Sequence, residues 1–166
     1  DLEPMMEGLG LEARFISVDV RGRGKSDRDP GGATYQPPLY AQDMAALMAH
    51  LKLDKVILIG TSMGGLMAML MAKAFPEKIR GIVMNDVGPE VNPAGLKRIA
   101  GYAGGNEIFD SWGDAAAAIG QTQAGVYPEY GEEDWMAFAR RTCVERADGK
   151  IVFDYDPVIV QGMGST

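Results

Sequence analysis

Val56-Ile57-Leu58-Ile59-Gly60-Thr61-Ser62-Met63-Gly64-Gly65-Leu66-Met67-Ala68-Met69-Leu70-Met71-Ala72 decides the reading of this chain. An apolar run of strand length comes first, then a turn of small residues, then a run suited to a helix. Ser62 stands at the centre of Gly-x-Ser-x-Gly, the pattern of a nucleophile elbow. A serine on so sharp a strand-to-helix turn sits in strained backbone geometry. Neighbours without Cβ atoms let strand and helix pass close to it. The helix that follows points its N-terminus at the serine, where backbone N–H groups favour developing negative charge. The alternative is a glycine-rich turn whose serine merely caps the helix.

Outward from this stretch the pattern repeats. Arg14–Val20 and Ile79–Asn85 read as strands, and Lys55–Ile59 is the strand before Ser62. Asp1–Leu9, Leu39–Leu51 and Met63–Phe75 read as helices, the last ended by Pro76. A loop rich in Gly, Asp and Pro runs from Arg21 to Pro38. Strands alternating with helices predict right-handed crossovers and a mainly parallel sheet. The character changes after Asp86. Three helical patterns follow at Ala94–Tyr102, Trp112–Gln123 and Glu132–Arg146, then a short alternating stretch, Ile151–Asp156, that reads as an exposed strand.

Bulk properties narrow the function. The chain has 166 residues, 46% of them hydrophobic, enough for a real core. With 16 Lys+Arg against 23 Asp+Glu the net charge is -7, which repels phosphate backbones and argues against nucleic acid. No apolar run approaches the ~18 residues of a membrane span. No signal peptide is visible, and a reducing cytoplasm is the default expectation. Cys143 is the one cysteine, so no intrachain disulfide can form.

Three motifs in order then carry a resemblance. They are Asp19-Val20-Arg21-Gly22-Arg23-Gly24-Lys25-Ser26-Asp27, Gly60-Thr61-Ser62-Met63-Gly64-Gly65, and Asn85-Asp86-Val87-Gly88-Pro89. Together they make the chain similar to the α/β-hydrolase fold superfamily, with the flavour of its esterases, enol-lactonases and carbon–carbon hydrolases. The resemblance implies an α/β fold: a partial α/β-hydrolase core, a mainly parallel sheet of three strands flanked by helices, under a helical cap. Residues 1–88 would be the core, 89–156 the cap and 157–166 the start of the return to the core. The family's first strands and C-terminal strands would be missing, so that the strands around Phe15–Val18 and Val56–Ile59 flank an empty slot.

Ser62 would be the nucleophile, and the Met63 backbone N–H one oxyanion-hole donor. The reaction would be acyl transfer through an acyl-enzyme on Ser62, acting on a small ester, lactone or related carbonyl compound, with no cofactor or metal. A serine hydroxyl needs a histidine base and an acid to orient that base. The one histidine, His50, precedes Ser62 at a helix end, whereas the family's order is Ser, acid, His. The base is therefore expected beyond Thr166. Asp86 is either a fallback acid or the cap of a turn before Gly88-Pro89. A competing reading is a non-catalytic, α/β-hydrolase-like binding chain or degenerate fragment that lacks the triad histidine and acid. A dehalogenase would carry aspartate where this chain has Ser62.

Other signals carry less. Gly24-Lys25-Ser26 imitates a P-loop, but the required glycine five positions earlier is Asp19. Met63, Met67 and Met71 form a helical stripe that suits core packing. Trp112 and Trp135 either line an acyl pocket or pack cap helices. Cys143 reads as a buried or half-buried thiol, and Asp154 and Asp156 have no second pair of ligands to suggest a metal.

Overall fold

A computed structural model of the chain describes residues 3–88, 90, 92, 95 and 107–159. In chain order these form α1 (Glu3–Gly8), α2 (Pro37–His50), β1 (Val56–Thr61), α3 (Met63–Ala74), a 3-10 turn (Pro76–Lys78) and β2 (Ile79–Asn85). After them come β3 (Ile108–Phe109), α4 (Trp112–Gln123), α5 (Glu132–Thr142), β4 (Cys143–Glu145) and β5 (Ile151–Phe153). Apart from residue 95, the helix expected over 94–102 lies outside the described residues. Among the described residues, no helix is long and apolar enough to cross a membrane. The chain divides into two compact units.

The first unit comprises Val20–Gly22, Ser26–Ala103 and Val158–Thr166 and contains Ser62. Its sheet is the parallel pair β1–β2, joined through α3, with Leu58 opposite Ile82, Gly60 opposite Met84 and Thr61 opposite Asn85. Helices α2 and α3 pack on each other, and α3 packs on both strands. Ala41, Met48 and Met71 form the buried centre, with Val56, Leu58, Leu70 and Ile79 against them. The expected Met stripe is therefore core packing at Met67 and Met71, both buried. Pro76 stops α3 because it has no N–H to continue the ladder.

The glycine-rich loop before α2 is well tied. Arg21 grips Asp43 of α2 with two parallel bonds, Nε to Oδ2 at 2.7 Å and Nη2 to Oδ1 at 2.6 Å. Asp29 accepts bonds from the Gly31 and Thr34 amides and the Thr34 hydroxyl, while its own N–H donates to Tyr35 Oη at 2.6 Å. The Tyr35 ring is buried against Gly22, where an added Cβ would lie 2.6 Å from Cε1.

The expected strand at Arg14–Val20 differs from what is found: these residues form no ladder, so among the described residues the parallel sheet holds two strands rather than three. A strand exists only by pairing, and the described strands share no ladder with this segment. Ile16 and Val18 are accordingly exposed, as are Ile57 of β1 and Val83 of β2.

The second unit comprises Asp1–Asp19, Arg23–Lys25 and Gly104–Pro157. It packs the helix pair α4–α5 with a three-stranded antiparallel sheet in the order β3–β5–β4. Its core is Phe109, Ala115, Ala116, Ile119, Ala139, Cys143 and Ile151. Ala115 and Ala139 are fully buried, and such small residues let the two helices approach closely. Ser111 caps α4 by accepting the Asp114 N–H, and Asp134 accepts the Gly131 N–H at the start of α5.

Two expectations are corrected in this unit. The helix read over Glu132–Arg146 ends at Thr142, and Cys143–Glu145 turns into a strand. The stretch read as an exposed strand is the central strand β5, with Ile151 only 1% exposed. Pairing on both edges buried a segment whose alternation alone suggested one wet face.

Two outcomes test this packing. Ala139→Leu should overfill the α4–α5 contact and cost about 1–3 kcal/mol, read from urea unfolding midpoints. Hydrogen bonds from Thr34, Gly31 and Gly32 hold the Asp29 carboxyl below its ordinary range, with the Thr34 hydroxyl the largest cause. A depressed folded-state value means its stabilisation is full above the unfolded pKa of about 4 and is lost as pH falls through the lower folded value. The stability gap between wild type and Asp29→Asn should therefore close as pH drops below about 4.

Candidate active site

β1 runs directly into Ser62, and α3 begins at the next residue. Ser62 has φ 50° and ψ −115°, a left-handed conformation that costs a non-glycine residue of order 1–3 kcal/mol. Its N–H donates to Asn85 O of β2 at 2.9 Å, and its carbonyl accepts the Gly65 N–H at 2.9 Å and the Leu66 N–H at 3.3 Å. The side chain is half-buried and makes no capping hydrogen bond to α3. The helix-capping alternative is therefore not what the structure shows.

The glycines around Ser62 differ in what they permit. A Cβ on Gly60 would fall on the carbonyl of Gly64 and 2.6 Å from Gly65 N. A Cβ on Gly65 would collide with Val87 Cγ1. Gly64 has nothing within 4 Å of the corresponding position among the described residues. Close approach of strand and helix thus rests on Gly60 and Gly65.

Met63 is the first residue of α3, so its N–H precedes the i→i−4 ladder and lies at the positive end of the helix dipole. Both strands of the pair end here, β1 at Thr61 and β2 at Asn85, and the carboxyl ends of parallel strands are where open α/β sheets bind ligands. Asp86 follows β2 directly, exposed and with φ 54°. Its carboxylate makes no hydrogen bond to the described residues.

The remaining candidates lie elsewhere. His50 is exposed in the last turn of α2, before the amino end of β1. Six strand residues separate that end from Ser62, about 20 Å of extended chain. The P-loop imitation is closed from within: the Lys25 N–H donates to Asp19 Oδ2 at 3.1 Å, so a carboxylate occupies the place a phosphate would need. Trp112 and Trp135 both pack on the core of the second unit, Trp135 against Gly120 and Trp112 beneath the Arg140 guanidinium. Cys143 is buried, and burial pushes its thiol up, away from the reactive thiolate. Two contacts of the elbow escaped the sequence reading, Asn85 O on Ser62 N–H and Val87 on Gly65. Only the motif Asn85-Asp86-Val87 marked their neighbourhood.

The chain resembles known proteins over most of its length. A family model described as alpha/beta hydrolase fold matches residues 2–130. The chain is 33% identical over 135 residues to the 3-hydroxybutyrate-oligomer hydrolase of Cupriavidus necator, covering 81% of this chain and 46% of that protein. It is 32% identical over 127 residues to the 2-(acetamidomethylene)succinate hydrolase of Mesorhizobium japonicum, covering 76% and 44%. Among solved structures, an alpha/beta hydrolase from Novosphingobium aromaticivorans superposes with a TM-score of 0.81 at 45% identity, covering 85% of this chain and 50% of that one. The chain thus spans about half the length of the curated relatives it matches.

The glycines give a direct test. Gly60→Ala should lower stability by about 3 kcal/mol, the upper end for overpacking, because backbone cannot yield as a side chain can. Gly64→Ala, on α3 with open space beside it, should be neutral or gain up to ~1 kcal/mol from helix propensity. Thermal midpoints of the two variants measure the contrast.

Proposed function

The chain belongs to the alpha/beta hydrolase fold family, and on that footing we propose that it is part of a serine hydrolase. Ser62 attacks a carboxylic ester, lactone or related carbonyl compound and becomes acylated, and water then releases the acid. The observation that carries this reading is the left-handed backbone of Ser62 on a turn that leaves its hydroxyl uncommitted to helix capping. The Met63 N–H donates to the oxyanion as it forms, and the N-terminus of α3 adds a fixed favourable field. Relatives named as hydrolases of a hydroxybutyrate oligomer and of a substituted succinate support a small carbonyl substrate rather than a polymer such as nucleic acid. The net charge of -7 supports the same choice. We place the reaction in the cytoplasm, away from membrane and without a cofactor.

The proton on Ser62 must go to a base, and His50 stands at the wrong end of β1 to take it. In this reading the base and its orienting acid come from the part of the fold that the relatives possess and this chain does not span.

The position of His50 also favours a second reading, an α/β-hydrolase-like binding chain without turnover. One experiment separates the two. Ser62→Ala in the full protein should lower kcat on a generic aryl ester by at least about a thousandfold, as loss of an acyl-transfer nucleophile does, with KM little changed. It should also abolish covalent labelling by a fluorophosphonate. Wild-type turnover in the variant would overturn the nucleophile assignment, and an inert wild type would favour the binding chain.

A further inference from the structure

We infer that Asn85-Asp86-Val87 is a positioning clamp that fixes the proposed oxyanion donor at Met63; this rests on the reading of Ser62 as nucleophile. The clamp grips the elbow on both sides of the serine. Before it, Asn85 is the register partner of Thr61, and Asn85 O accepts the Ser62 N–H at 2.9 Å. Beyond it, the Val87 side chain fills the place that a Cβ on Gly65 would take.

The link to the donor runs through one peptide plane. The carbonyl of Ser62 and the N–H of Met63 belong to the same planar, trans unit, so fixing one fixes the direction of the other. That carbonyl accepts the Gly65 N–H at 2.9 Å. Val87 against Gly65 holds the donor of this bond, and through it the plane that aims the Met63 N–H. Oxyanion donors act by preorganised aim, so a small rotation here is felt in the transition state more than in substrate binding.

Asp86 supplies the bend. Among the described residues, three non-glycine residues have positive φ: Lys52, Ser62 and Asp86. Lys52 follows the end of α2, where a left-handed residue is an ordinary terminator. Asp86 ends no helix. Its left-handed turn lets Asn85 meet Ser62 while Val87, two residues on, reaches Gly65. Aspartate is among the few non-glycine types that adopt this conformation readily. The clamp therefore assigns Asp86 a backbone role in which its carboxylate takes no part.

The test uses variants of the full protein, with fluorophosphonate labelling rates and separate kcat and KM values as readouts. Gly65→Ala should lower kcat by on the order of a hundredfold, the cost of a misplaced oxyanion donor, with KM little changed. Adding Val87→Ala should restore most of the rate. It removes the Cγ atoms and leaves Cβ at 3.6 Å, ordinary contact. Asp86→Gly should keep most of the wild-type kcat, whereas Asp86→Val, β-branched and hostile to positive φ, should lose it as Gly65→Ala does. Failure of Val87→Ala to rescue Gly65→Ala overturns the clamp. So does an Asp86→Gly loss equal to that of Asp86→Val, since the carboxylate would then be the active part. Should Gly65→Ala fail to fold, the Asp86 pair decides alone. Labelling of Ser62→Ala in the same series reports on the nucleophile reading, so the two ideas fail separately.

Discussion

A strand and a helix cross at Ser62 with no room for a Cβ at Gly60 or Gly65. Gly60 lies against the backbone of Gly64 and Gly65, and Gly65 lies under Val87. Everything else in the Ser62 unit is consistent with that approach. β1 and α3 are held at that distance by Leu58 and Val56 packing toward Met48 and Met71. The left-handed serine is the conformation that lets six residues of strand become helix without an intervening loop. Strain of this size persists only where the surroundings over-determine it, and three backbone hydrogen bonds at Ser62 do so.

The loop preceding α2 shows how the same unit stabilises chain that has no regular structure. Asp29 and Tyr35 close it internally, and the Arg21–Asp43 pair fastens it to α2. The pair is about one-third exposed, so its two-point geometry matters more than its Coulomb energy. Lysine could not reproduce that fork.

The elbow was legible in the sequence because its constraints are local. Gly60, Ser62 and Gly65 are neighbours, and the strand-to-helix context is read from the residues on either side. β2 and α4 were legible for the same reason, since their periodicity and terminators fall within each segment. Arg14–Val20 has a strand's composition and no ladder, because pairing depends on residues distant in sequence. Ile151–Phe153 was misread as exposed because burial of both its edges depends on β3 and β4. Thr142, Cys143 and Val144 could have marked the end of α5, since such residues lose side-chain freedom in a helix. Val87 was invisible as a contact: nothing in its own neighbourhood announces that Gly65 lies beneath it.

Gly64 poses a different problem from its two neighbours. At Gly60 and Gly65 the space a Cβ would need is filled by protein, and glycine there is a packing requirement. At Gly64 that space is open among the described residues, and glycine in a helix costs about 1 kcal/mol relative to alanine. Packing among the described residues therefore does not account for the second glycine of the pattern. Within the proposed reading a substrate does. A glycine beside the nucleophile, at the first turn of α3 and next to the proposed donor, lets a carbonyl group approach the backbone closely. The empty space at Gly64 and the filled space at Gly65 then serve one geometry, the first for access to the Met63 N–H and the second for its aim.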